Sequence, residues 1–370
     1  MKIPYFTFDG APNNILNEWT KSIQSVIADG KFVLGDPVHK FESEWAEFVG
    51  VNHAVGVANG FDALVLSLKT LGIGAGDIVA VPSHTFAATW FAVDAVGAMP
   101  FGIDCGADGL MDLDILESLE IQFTAVIPVH MHGQLVEMSR VQKWAQKNGV
   151  HIIEDCAQAH GAETNGKKAG SWGAISAYSF YPTKNLGALG DAGAIVTNND
   201  DYADRARLLS NYGCSRSRKY QYHEIGINSR LDSIQAALLS VNLRHLKEWN
   251  QARKEIAKIY DQACDNAGIR YLRQNEGSVY HHYLIFSSNR DKTIKELLKL
   301  GIQTDIHYPE PAEKTFLRIK NRNFENCCPK AMDFTASVIS IPLYPWISDE
   351  NIQYIQKALF NDHVVKSCRA

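Results

Sequence analysis

The sequence has no long hydrophobic run, no block of basic residues and no CxxC motif, and each absence removes a class of protein. The longest uncharged, apolar-leaning stretch, Ile78 to Val93, is broken by Pro82, Ser83 and His84. A bilayer-crossing helix needs roughly 20 apolar residues, so no membrane role is expected. Lysine and arginine total 36 against 41 aspartates and glutamates, a net charge of −5. Without a basic stripe the chain lacks the electrostatic footprint of a nucleic-acid binder, although a local basic pocket for a phosphorylated small molecule is compatible with it. The seven cysteines are scattered, no CxxC occurs, and adjacent Cys327 and Cys328 do not have a zinc-ligand spacing, so no metal site is expected. Met1-Lys2-Ile3-Pro4-Tyr5 does not open a secretory signal, and the chain reads as cytoplasmic.

What is present is an alternation of helical and strand patterns over 370 residues, too long for one small core. Ile15 to Ala28 repeats Trp19, Ile23, Val26 and Ile27 on one helical face, and Gly30 can stop it. Phe41, Trp45 and Phe48 repeat helically before Gly50, and Ala63 to Leu71 is another helix. Short apolar strands are expected at Ile78–Val81, Thr124–Val129, Val150–Ile153, Ala174–Phe180 and Ala194–Thr197, with a helix over Val141–Lys147. Such strands, separated by helices, imply an α/β fold with parallel pairing and helices on both faces. Asp232 to Asp265 reads as one long helix leading out of this unit. Strands or helices at Val279–Phe286, Lys292–Leu300, Gln303–His307, Ser337–Ile341 and Ile352–Leu359 then form a smaller α/β set. A large domain over residues 1–245 and a small one over 246–370 are expected.

Asp155 stands at the carboxyl end of a central strand, where ligands of open α/β sheets bind. Taken alone it also reads as a helix N-cap. Lys184 lies in Tyr181-Pro182-Thr183-Lys184-Asn185-Leu186-Gly187, a turn between two buried strands; desolvation there lowers an amine's pKa and makes it nucleophilic, whereas most single lysines are merely solvated. Asn59-Gly60-Phe61-Asp62 opens a helix whose free amides and dipole suit an anion, and Gly60 permits close approach. Ser179 adds a hydroxyl, and Phe86 an aromatic face. A lysine, a carboxylate, an aromatic plate and a phosphate cup are the parts pyridoxal 5′-phosphate requires. Two rivals stay open on the residues alone. Gly72-Ile73-Gly74-Ala75-Gly76 hints at a dinucleotide turn but follows a helix and precedes a strand, the reverse of the required order. His130 and His132 with Asp155 and His160 offer a metal set, while His160 by itself reads as satisfied interior. A non-catalytic relative retaining the fold is the third alternative.

Four segments in order and spacing resemble the DegT/DnrJ/EryC/StrS family of sugar-nucleotide aminotransferases. They are Asn59 to Leu64, Glu154 to Gly161, Ser179 to Gly187 and Gly226-Ile227-Asn228-Ser229-Arg230-Leu231-Asp232. The resemblance implies the aspartate aminotransferase fold (fold type I), a large cofactor-binding domain with a mostly parallel seven-stranded sheet plus a small C-terminal α/β domain. It implies Lys184 as the Schiff-base lysine and Asp155 as partner of the pyridine nitrogen. Gln158 matches the residue near the ring hydroxyl and Phe86 the stacking position. Ser179 and the amides of Phe61 and Asp62 match the phosphate cup, and Asn228 matches an asparagine that reaches the neighbouring subunit's phosphate in a homodimer. Phe61 stands where many relatives carry threonine, so only its amide serves there. Glu313 replaces a histidine of many relatives.

The segment around Lys184 is similar to the branch that aminates C-3 of dTDP-3-keto-6-deoxyhexoses, with L-glutamate as donor. That implies synthesis of a deoxyaminosugar for O-antigen, another surface glycan or a natural product; amination at C-4 is the alternative. Tyr181, Lys219, Tyr220, His307 and Tyr308 are the residues expected to meet the nucleotide sugar.

Overall fold

The computed structural model describes residues 2–215, 220–321 and 328–369. The chain lays down β1 (His53–Val57), β2 (Ile78–Pro82), β3 (Met99–Ile103), β4 (Ala125–Val126) and β5 (His151–Asp155). After a small hairpin of β6 (Glu163–Thr164) and β7 (Lys167–Lys168) come β8 (Ile175–Ser179) and β9 (Gly193–Thr197). Seven of these form one sheet in the order β1-β9-β8-β5-β4-β2-β3. Its ladders are parallel from β3 through β8, and β9 alone runs antiparallel to both neighbours. Most strand residues from β2 to β9 are buried, which is why these strands read as apolar runs rather than alternating ones.

Two strands of the large sheet escape the sequence reading, as does the small hairpin β6–β7. β3, Met99-Pro100-Phe101-Gly102-Ile103, contains proline and glycine, but it is an edge strand, where a missing N–H is tolerated. β1 carries Gly56 next to its last residue, and a glycine inside a strand weakens the apolar signal. The expected strand Thr124–Val129 shrinks to two residues because Pro128 cannot donate to a ladder; Val129 keeps only an isolated bridge to Asp155. Gln303–His307 is likewise not a strand, and makes a single bridge, Asp305 to Ser340.

The expected long helix is present as Ser233–Ala267, 35 residues ended by Gly268 in the left-handed conformation. At 1.5 Å per residue it spans about 50 Å. Its first half buries Ala236, Leu239 and Leu246 with Phe41, Trp45 and Phe180. Its second half buries Ile256, Ala257 and Tyr260 in another core, with residues of β10 (Tyr283–Phe286) and β11 (Val338–Ile341), an antiparallel pair. The expected division at 245/246 therefore falls inside one continuous helix. Ile3 also departs from the 1–245 grouping, since it is fully buried in the C-terminal core and bridges Ile302. Among the described residues no helix is long and apolar enough to cross a membrane.

Candidate active site

Because β1, β2, β4, β5 and β8 point the same way, the segments following them meet along one edge of the sheet. A cavity of about 380 Å³ opens there. It receives Asn59 and Gly60 after β1, Thr85 and Phe86 after β2, Asp155 and Gln158 from β5, and Ser179, Tyr181 and Lys184 after β8. That edge is where ligands of open α/β sheets bind.

The loop bearing Lys184 is fixed from behind. Its amide bonds the Tyr181 carbonyl at 2.8 Å, and Ala188 closes back onto Phe180 at 2.8 Å. A β-carbon on Gly187 would lie 2.4 Å from the Pro182 carbonyl oxygen, so the turn admits only glycine there. Asn185 Nδ2 donates to Asn250 Oδ1 (2.8 Å) and to the Val279 carbonyl (2.9 Å), while its Oδ1 meets His281 Nδ1 at 3.0 Å. Asn242 Nδ2 donates to the Gly187 carbonyl at 2.8 Å. With its backbone pinned on that side, Lys184 projects its amine into the cavity. Burial pulls its pKa down to about 8, against the pull of Asp155 in the other direction. Burial in turn holds the Asp155 carboxyl above its usual range, offset by the Ala157 amide, the Thr89 hydroxyl and Lys184. Asp155 Oδ1 accepts from Ala157 at 3.1 Å and Oδ2 from Thr89 Oγ1 at 3.0 Å, so both oxygens are held in place.

Opposite them, the helix Gly60–Thr70 points its N-terminus at Ser179. The approach is so close that a β-carbon on Gly60 would lie 2.6 Å from Ser179 Cβ. Asn59 caps this helix by accepting from the Asp62 amide at 2.8 Å. Thus the Asp62 amide, expected in the phosphate cup, is already engaged in this structure; an amide cannot serve cap and anion equally. This donor set suits pyridoxal phosphate: an amine for its aldehyde, an anchored carboxylate for its ring nitrogen, and a helix N-terminus with a hydroxyl for its phosphate.

Gln158 bridges two walls, its Oε1 accepting from the His132 amide at 2.7 Å and its Nε2 donating to the Tyr308 hydroxyl at 3.0 Å. Phe86 lines the mouth, its ring 5.4 Å from that of Tyr308. Of the residues expected to meet the sugar, Tyr181, His307 and Tyr308 line the cavity. Tyr220 is 72% exposed and does not, Asn228 is exposed and also outside it, and Lys219 lies outside the described residues.

The rival metal set does not converge. His130 Nε2 meets Glu154 Oε2 at 3.0 Å, His132 contacts His84 and His282 at 3.2 Å each, and His160 Nε2 meets the Ser179 carbonyl at 2.9 Å. His130, Glu154 and Cys156 do bring ligand atoms within 4.8 Å of one another. Glu154 is nevertheless committed to the amides of Gly170, Trp172 and Gly173 and to Ser176. Burial opposes its ionisation, but His130 and those amides outweigh it and hold its pKa low. Burial also drives the Cys156 thiol well up, away from the thiolate a metal would need. Glu313, at the departure from the family pattern, is buried and accepts from Ser83 Oγ at 2.5 Å.

Sequence reasoning missed Thr89, Asp191, His281 and His282 as cavity residues. Thr89, on the largely apolar helix Ala87–Ala95, and a His281-His282 pair entering an apolar strand were the available signals.

Comparison with known proteins gives this geometry its relatives. Residues 13–360 match the DegT/DnrJ/EryC1/StrS aminotransferase family. The dTDP-3-amino-3,4,6-trideoxy-alpha-D-glucose transaminase of Streptomyces venezuelae is 37% identical, over 93% of this chain and 92% of that one. The dTDP-3-amino-3,6-dideoxy-alpha-D-galactopyranose transaminase of Aneurinibacillus thermoaerophilus is 37% identical, over 96% and 98%. The crystal structure of S. venezuelae DesV in complex with a ketimine intermediate superposes with a TM-score of 0.92 at 37% identity, covering 97% of this chain and 98% of that one.

Proposed function

This chain belongs to the DegT/DnrJ/EryC1/StrS aminotransferase family, and from that premise we propose that it moves an amino group from L-glutamate to C-3 of a dTDP-linked 3-keto-6-deoxyhexose. The product is a dTDP-3-amino-3,6-dideoxyhexose, a donor for decorating a surface glycan or a natural product. The observation that carries this reading is the meeting of Lys184, its pKa lowered to about 8, with Asp155 in one cavity at a helix N-terminus. Two relatives named for 3-amino dTDP sugars support the choice of carbon.

The cofactor is pyridoxal 5′-phosphate, which when bound supplies an aldehyde that captures amines and a ring that draws electrons from the bond being broken. Lys184 holds it and moves the proton at the substrate carbon through Nζ. Asp155, fixed by Thr89 and Ala157, keeps the ring nitrogen protonated. Ser179 and the amides at Gly60 and Phe61 would hold the phosphate, Phe86 would cover the ring, and Gln158 would sit by its hydroxyl. Tyr181, His307 and Tyr308, which line the cavity, orient the sugar. Misplacing a reacting carbon by about 1 Å costs about 10²-fold in rate, so these neighbours can choose between adjacent carbonyls. Offered dTDP-linked 3-keto and 4-keto 6-deoxyhexoses with glutamate, the enzyme is expected to place the new amine, located by NMR, at C-3. Amination confined to C-4 overturns that choice.

Asn228 is exposed and outside its own chain's cavity, which accords with a homodimer in which it reaches the partner's phosphate. Mixing Lys184→Ala with Asn228→Ala protein is then expected to form hybrids with one intact site. Activity should recover toward about a quarter of wild type, since half the dimers are hybrids and each has one good site of two. A fully active monomer in sedimentation would rule the arrangement out.

A further inference from the structure

His281 is buried beside the lysine loop, and the hydrogen bonds around it decide which of its ring nitrogens carries the proton. Two backbone carbonyls settle this from a distance. The Val279 carbonyl can only accept, so the side-chain atom of Asn185 that faces it at 2.9 Å is Nδ2. The His160 carbonyl does the same for Asn250, whose Nδ2 donates to it at 2.9 Å and whose Oδ1 receives Asn185 Nδ2 at 2.8 Å. Both amides are thereby fixed against a flip, and Asn185 keeps its oxygen towards His281 Nδ1 at 3.0 Å. An amide oxygen only accepts, so Nδ1 carries the hydrogen. A neutral imidazole has one N–H. That leaves Nε2 as a bare acceptor, and it has no hydrogen-bond partner among the described residues.

The ring stays neutral. Burial drives its pKa well below the usual histidine range, and the charges of Lys184 and Arg253 press in the same direction, with His307 and His160 adding to them. The ring is also fixed at its root. The His281 amide donates to the His132 carbonyl at 3.0 Å, and a β-carbon on Gly133 would lie 2.8 Å from that amide nitrogen. His282 packs on it, ring centres 4.0 Å apart. His281 and Lys184 line the same cavity, and the side chain that holds His281 belongs to the residue next to that lysine. An amine that is to move a proton needs its lone pair aimed at the substrate carbon. A carboxylate placed to hold such an amine would favour its protonated form, whereas a neutral imidazole nitrogen takes one N–H without bringing a charge.

We infer that His281 is a positioning residue for the proton carrier: its Nε2 accepts one N–H of the Lys184 amine when that amine is free, and turns the nitrogen lone pair towards the substrate carbon. This rests on the reading of Lys184 as the proton carrier of an amino transfer. Two substitutions separate the role from a structural one, because each keeps a different half of the ring. His281→Gln places an acceptor where Nε2 stood and gives up the bond to Asn185; His281→Asn keeps a donor for Asn185 and gives up the acceptor. In the holoenzyme, kcat is expected to fall at least about 30-fold in the Asn variant and to stand about tenfold higher in the Gln variant, with KM for glutamate within about twofold of wild type in both. If His281 only braces the loop, that order reverses. A second readout is independent of turnover. In holoenzyme carrying nitrogen-15-labelled histidine, the NMR signal lost in either variant is expected to show the hydrogen on Nδ1 and a neutral ring at neutral pH. A hydrogen on Nε2, a charged ring, or an Asn variant as active as the Gln variant would overturn the inference. A wild type that converts the cofactor with glutamate yet aminates no keto sugar at C-3 would instead strike at the proposed function and leave the role of His281 standing.

Discussion

Lys184→Ala is expected to remove the visible absorption of the lysine-bound cofactor and to reduce turnover at least about 10³-fold, because nucleophile and proton carrier vanish together. The fold should survive. The loop is held by Asn185, Asn242 and the Tyr181 carbonyl rather than by the lysine amine. Circular dichroism and thermal unfolding should therefore match wild type. The position of the amine has a pH signature as well. With a pKa of about 8, a deprotonated amine is scarce at pH 6 and dominant at pH 9. Capture of added cofactor by the cofactor-free protein should accelerate about tenfold per unit up to pH 8 and then level off. A Lys184→Ala protein that transaminates at the native rate would sink the assignment.

The second large effect is expected at Asp155. Asp155→Asn keeps the shape and can still accept from Ala157 through its one oxygen, with its NH2 turned to the Thr89 hydroxyl oxygen, but it removes the negative charge that would hold a protonated ring nitrogen. Loss of one preorganised charge in a dry site costs about 10²–10³ in rate. The same substitution acts on Lys184, with a definite sign: Asp155 raises the lysine's pKa against burial, so its removal lowers that pKa further. The midpoint of cofactor capture should move below pH 8 as kcat falls. A variant with wild-type kcat, or one whose midpoint rises, contradicts the role given to this carboxylate.

How far the sequence foretold this site depends on the distance over which each signal acts. Lys184, Asp155, Gly60 and Ser179 were legible because each sits at a strand end or helix start, where local pattern and chemistry coincide. The strands flanking them were legible wherever apolar runs were unbroken, and β3 was lost because Pro100 and Gly102 carry the marks of a loop. His281 and His282 were not legible as cavity residues. Each belongs to the C-terminal half, and only packing of that half against the sheet brings them to the cavity. Occupation of the Asp62 amide by Asn59 was equally hidden, since a cap and an anion site share one sequence signature.

The stiffness of the helix Ser233–Ala267 sets a tolerance on all of this. Asn250 lies 17 residues along it, about 25 Å from its start, so a tilt of about 2° would carry its amide about 1 Å. That is the scale at which rates change about 10²-fold. Yet the same rod grips the lysine loop at two points, Asn242 on Gly187 and Asn250 on Asn185. A tilt is thus transmitted to the loop that carries Lys184. The helix works as a mount for that loop, so the place of the amine is set by the rod as much as by the strands.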